Sequence, residues 1–125
     1  VAGADLTLAN VKVIGNTADY GAALYVIGNT RVTLQDGTEL TANTATVRGG
    51  GIYMYGVGAV VEVRDAKITG NRAGSAGGAV AIHNAALLKW FVDDGAEITG
   101  NETSTNKDPD IHIGWAGLVD QIYGA

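Results

Sequence analysis

The chain contains no cysteine, and its 125 residues include a single proline, Pro109. The missing thiols exclude a disulfide framework and any thiolate metal site. No apolar run approaches the roughly 18 residues that a membrane helix needs, so no membrane span is expected. No basic-then-apolar leader opens the chain, which begins at Val1 rather than methionine; a processed product or a piece of something longer is the expectation. Positive charge is scarce as well. Eight Lys and Arg against thirteen Asp and Glu give a net charge of −5, which argues against a nucleic-acid partner or an anionic membrane surface.

Glycine, by contrast, is abundant, with 19 residues, and apolar residues alternate with polar ones over short runs. Examples are "LTLANVKVIGN" from Leu6, "VTLQDGTELTAN" from Val32, "VEVRDAKITGN" from Val61 and "WFVDDGAEITGN" from Trp90. Period-two alternation broken by Gly, Asn and Asp is the signature of strands and turns. Each run closes on an asparagine: Asn16, Asn43, Asn71 and Asn101, separated by 27, 28 and 30 residues. A recurrence of this length marks a repeat architecture, and its drift implies turns of variable length between fixed strands.

A second word keeps the same beat. Leu24, Ile52, Val80 and Ile111 align, followed two residues later by Val26, Met54, Ile82 and Ile113. Because a strand shows one face every second residue, both columns point inward. Val13, Leu40, Ile68 and Ile98 form a third inward column, and Leu8, Leu34, Val63 and Val92 a fourth. The expected fold is therefore all-β: a right-handed parallel β-helix, one domain over residues 1–125, with about four rungs of three short strands. The rungs are expected near 4–28, 29–58, 59–85 and 86–117, with a partial fifth at 118–125.

In such a stack, asparagine suits a left-handed corner and can bond its copies about 4.8 Å above and below. Asn16, Asn43, Asn71 and Asn101 are thus expected to form a structural ladder. Asn101-Glu102-Thr103 also spells an N-glycosylation acceptor, but the same position is a ladder rung in the other three copies.

These paired words resemble the repeats of polymorphic outer-membrane proteins and autotransporter-passenger-like bacterial surface β-helices, in which a "GGA-[ILV]" word accompanies an "F-x-x-N" word. Gly77, Gly78, Ala79 and Val80 match the first, with looser copies at Gly50 to Tyr53 and Gly21 to Leu24. The second has Val13, Leu40, Ile68 or Ile98 where that family has phenylalanine. The resemblance implies a secreted or surface-displayed adhesive or stalk-like role, and it carries no catalytic residues across.

Function has to sit in the outward columns. Lys12, Glu39, Lys67 and Glu97 alternate in sign up the stack, which reads as a charge ladder guarding register. Asn10, Asp36, Asp65 and Asp94 share a corner; Asp36, Asp65 and Asp94 are weak candidates for calcium, although Asp-Gly turn chemistry accounts for the same residues. No cofactor is otherwise implied. Tyr25 and Tyr53, then Ile27, Tyr55 and His83, with His112 beyond, form an aromatic face suited to a protein or glycan partner. A polysaccharide-cleaving β-helix would need an acidic pair or calcium cluster beside a cationic base, and only Asp65 with Arg64 and the loop 101–110 approach that. The expected function is a non-enzymatic, extracellular structural or adhesive solenoid. Polysaccharide binding or cleavage is the alternative. With no capping helix legible at either end, self-association of open ends, or continuation of a longer solenoid, is also expected.

Overall fold

Three to five alternating residues between corner residues leave room only for short strands, and that is what the chain forms. The structure is a computed structural model describing residues 4–91, 95–106, 108–114 and 117–122. All regular elements among these residues are strands, and all pair in parallel. Sheet A stacks β1 (Asp5–Ala9), β5 (Arg31–Gln35), β9 (Val60–Val63), β13 (Leu87–Phe91) and β17 (Leu118–Ile122). Sheet B stacks β2 (Lys12–Ile14), β6 (Thr38–Thr41), β10 (Ala66–Thr69) and β14 (Glu97–Thr99). Sheet C stacks β3 (Thr17–Tyr20), β7 (Thr44–Arg48), β11 (Arg72–Ala73) and β15 (Glu102–Thr103). Sheet D stacks β4 (Leu24–Ile27), β8 (Ile52–Tyr55), β12 (Val80–His83) and β16 (Ile111–Ile113). The chain visits A, B, C and D in order and returns, making a β-solenoid of four turns and one further strand.

Each turn thus has four strands, not three. The strand that alternation did not reveal lies in sheet C, because its inward column is Ala18, Ala45, Ala73 and Thr103. Alanine and threonine give almost no apolar contrast against their neighbours, so the period-two signal vanishes there.

The columns in sheets B and D pair as spaced in the sequence. Sheet A contributes two columns. Leu6, Val32, Val61, Leu88 and Val119 stack in one; Leu8, Leu34, Val63 and Trp90 stack in the other. Trp90 therefore occupies the place expected for Val92, which lies outside the described residues. The stretch between β13 and β14 is longer than its counterparts, so counting back from Ile98 falls short of the strand. Trp90 is secured where it stands, its Nε1 donating to Ala96 O at 3.2 Å. Val32, Leu34, Leu40, Met54, Val61, Ile68, Ile82 and Leu88 are fully buried, whereas Leu6, Leu8 and Val13 on the first rung are half-buried. Removing a buried leucine such as Leu34 would cost about 2–5 kcal/mol.

The asparagines run through the B–C corner as a continuous ladder, exposed at Asn16 and buried at Asn43, Asn71 and Asn101. Asn43 Oδ1 accepts from Asn16 N at 3.0 Å and Nδ2 at 3.1 Å; Asn71 Oδ1 accepts from Asn43 N and Nδ2, both at 3.0 Å; Asn101 Oδ1 accepts from Asn71 N at 2.9 Å and Nδ2 at 3.1 Å. Each amide also donates one rung down, Asn43 to Val13 O, Asn71 to Leu40 O and Asn101 to Ile68 O. The left-handed residue at this corner is not the asparagine but the one before it: Gly15, Ala42, Gly70 and Gly100 have φ of 73°, 55°, 67° and 69°. The asparagine amide must face into the stack, and the left-handed residue supplies the reversal that aims it there. Asn101, at 6% exposure, is committed to this ladder, which leaves the glycosylation sequon inaccessible in the folded chain.

The ladder ends on a residue outside the repeating words. Asp110 pairs into the position that Ala79 holds one turn earlier, receiving Ala79 N on its own carbonyl at 3.0 Å. Its side chain turns to Asn101, where Oδ1 accepts from N at 3.2 Å and Nδ2 at 2.9 Å. A carboxylate thus stands in for the next asparagine. The last donors of the ladder are thus satisfied by one side chain from the loop that precedes β16.

The ladder makes two outcomes testable. Asn71→Ala strands the donors of Asn43 and is expected to lower stability by about 3 kcal/mol in urea unfolding. Ala42→Gly relieves a left-handed alanine and should instead raise it by about 0.5–1 kcal/mol; an unchanged or lower midpoint would contradict the geometry.

Candidate functional site

The outward faces differ in chemistry. On sheet B, Lys12, Glu39, Lys67 and Glu97 are register neighbours, and among the described residues only Lys12 and Glu39 reach ion-pair distance, at 3.7 Å. On sheet A, the nearly buried Glu62 accepts from Arg31 Nη1 and Arg64 Nη2, each at 3.0 Å, and the Arg64 guanidinium lies 3.8 Å from the Phe91 ring centroid. These are self-satisfied surfaces. A depression at the B–C corner, lined by Ala42, Thr44, Gly70, Arg72 and Glu102, is of the same kind, because Glu102 holds Arg72 at 2.9 Å.

At the A–B corner, Asp36 is left-handed with φ 54°, and Gly37 N donates to Asp65 O at 2.8 Å. Asp94 lies outside the described residues. Among the described residues no three acidic or histidine side chains gather to hold an ion. Turn formation accounts for what Asp36 and Asp65 do there.

The aromatic face is different. Tyr25 and Tyr53 align with Ala81 and His112, and Ile27 and Tyr55 align with His83, all directed away from the core of sheet D. Tyr25 and Tyr55 are 44% and 46% exposed, yet Tyr53 between them is only 7% exposed. Its cover is a ring cluster: Tyr25 at 5.2 Å, Tyr55 at 6.3 Å and 18° from parallel, and His83 at 5.6 Å between centroids. The fourth ring is Tyr20, edge-on at 4.9 Å, and it comes from sheet C.

Outward side chains of adjacent sheets diverge across a convex corner and converge across a re-entrant one. The contact of Tyr20 with Tyr53 therefore makes the C–D corner re-entrant, a cleft whose floor these two rings fill. Gly49 and Gly77 make this bend with φ of 69° and 68°. A Cβ on Gly49 would strike the Ile52 carbonyl, so the corner admits no side chain.

At the far end of the cleft, His83 and His112 approach to 5.1 Å, and His112 Nδ1 lies 2.7 Å from Asp108 Oδ2. The His83 ring fills the space where Gly114 would carry a Cβ. Burial first, then His112 and Arg48, hold the His83 pKa below its ordinary 6.5. Burial first, then Tyr25 and Tyr20, raises the Tyr53 phenol, which keeps it a hydrogen-bond donor at neutral pH. Arg48 opposite Tyr20 in sheet C completes the site. Both residues directly precede a corner glycine, Gly21 and Gly49, 28 residues apart. That alignment is the signal that could have added them to Tyr25, Tyr53, Tyr55, His83 and His112.

No protein-family model, no curated protein and no solved structure matches this chain. The site's chemistry has to be read from its own geometry.

His83 gives the fold a pH dependence. Its neutral form is favoured in the fold, so the unfolded chain takes up a proton first as pH falls through about 6.5, and stability drops from there toward the lowered native pKa. Urea midpoints at pH 7.5 and pH 5.5 are expected to differ less for His83→Phe than for the parent chain. Equal losses would show that His83 is not the group responsible.

Proposed function

We propose that this chain is a non-enzymatic β-solenoid of the bacterial cell surface or extracellular space, adhesive through its aromatic cleft and structural through the rest of its stack. The carrying observation is the contrast between faces: on sheet A Glu62 holds Arg31 and Arg64 and on sheet B Lys12 pairs with Glu39, while sheet D exposes Tyr25 and Tyr55 on a continuous ring cluster. A row of ring faces suits the C–H faces of sugars, and the surrounding rings hold the buried Tyr53 rigid, which limits the ordering cost of binding. Carbohydrate is the ligand class this favours. Against cleavage stands the condition of Arg64, the cation beside Asp65, which is already engaged by Glu62 and Phe91.

The strand order bears on self-association. Four turns of four strands plus β17 leave sheet A one strand taller than the others. If a second copy set its β2 on β14, its β1 would meet β17 already in place. A head-to-tail filament, which would need another register, and a segment within a longer surface solenoid are the two forms of this reading.

A glycan array probed with the chain tests the proposal. Binding to at least one saccharide class is expected, weakened about tenfold or more by Tyr25→Ala and by Tyr55→Ala, with no new chain ends released from uronic-acid polymers with or without calcium. An array without any bound saccharide would overturn the adhesive reading, and catalytic turnover would overturn the non-enzymatic one.

A further inference from the structure

The cleft carries a charge that the protein leaves unanswered. Arg31 and Arg64 share Glu62, Arg72 holds Glu102, and Lys12 faces Glu39. Arg48 has no carboxylate partner among the described residues, and its Nε is buried without a hydrogen bond. A guanidinium presents donors in a planar fork that matches a carboxylate, and a partly desolvated one left unpaired is unfavourable unless a ligand completes it. Its place is at the C–D corner: opposite Tyr20, whose ring meets Tyr53, with His83 and His112 beyond. The buried Nε2 of His83 likewise lacks a partner.

We propose that the cleft is selective for a carboxylated sugar, a hexuronate unit of an acidic glycan, whose carboxylate pairs with Arg48 while its ring packs on the exposed tyrosines. This rests on the carbohydrate-binding reading above and names its ligand class. An acidic peptide would satisfy Arg48 alone; the tyrosine row beside it is what favours a sugar. The net charge of −5 does not forbid an acidic ligand at this point, because screening at physiological salt confines such repulsion to about 8 Å. The carboxylate nearest the histidines, Asp108, is held by His112, and Asp19 on sheet C accepts from Thr46 Oγ1 at 2.6 Å.

Calorimetric titration with hexagalacturonate, its fully methyl-esterified form and poly-glutamate tests the assignment. The acid form is expected to bind at least tenfold more tightly than the ester, with affinity falling as salt rises. Arg48→Gln should bring the acid down to the level of the ester while leaving the ester unchanged, and Arg48→Lys should keep part of the preference. Tyr55→Ala should weaken both sugars. Equal affinity for acid and ester, or a preference that survives Arg48→Gln, would overturn the carboxylate inference and leave the glycan reading standing. Poly-glutamate binding as tightly as the uronate would overturn the sugar assignment. Failure of both sugars here, together with an empty glycan array, would remove both readings. Unfolding midpoints of the Arg48 variants near that of the parent chain exclude a folding defect as the cause.

Discussion

Everything in this molecule depends on parallel strands stacking in register, one turn directly over the last. The asparagine ladder enforces that register from the inside. A buried amide is tolerated only where its donors and acceptor all find partners, and here each amide bonds its copy one turn away and a carbonyl one turn the other way. Slipping one turn by a single residue would break those bonds and turn that turn's inward residues outward, Ile68 in the turn that carries β10. Faithful repetition in sequence is thus a mechanical requirement, and it also builds columns on the outside. The tyrosine row, the charge ladder and the threonines Thr41, Thr69 and Thr99 exist because the inside repeats.

The same requirement decides which parts of the fold are legible in the sequence. Columns of large apolar residues stand out because alternation contrasts them with polar neighbours, and this recovered sheets B and D and one column of sheet A. Sheet C escaped because alanine fills its interior: a narrow corner needs small residues, and small residues carry no pattern. Trp90 escaped because a lengthened turn breaks the count. The spacing marks the asparagines, while the left-handed backbone belongs to Gly15, Ala42, Gly70 and Gly100. Spacing identifies which residue recurs, but which of two adjacent residues takes the reversal depends on where the amide must point.

The candidate site was half legible for a related reason. Tyr25, Tyr53, Tyr55 and His83 lie on one sheet and can be aligned by their period, but Tyr20 and Arg48 belong to the preceding sheet and join only because the glycine corner is re-entrant. Corner angle is not a property of either strand. It arises from the left-handed glycines between them, and a sequence that shows the glycines does not show the direction of the bend.

Asp110 shows how the same stacking rule also ends a column. In the previous turn its place belongs to Ala79, fully buried and too small to reach the ladder. A carboxylate could not be accommodated there inside a continuous stack without an unpaired buried charge, which is strongly unfavourable. At the last complete turn the same position is only half-buried, so the charge stays partly hydrated while it satisfies both nitrogens of Asn101. A further asparagine rung in that place would find its site taken and would face a negative charge. The asparagine ladder therefore ends on Asp110, while β17 continues sheet A beyond it. The ladder's last donors and the last described strand of sheet A thus lie at different heights in the stack.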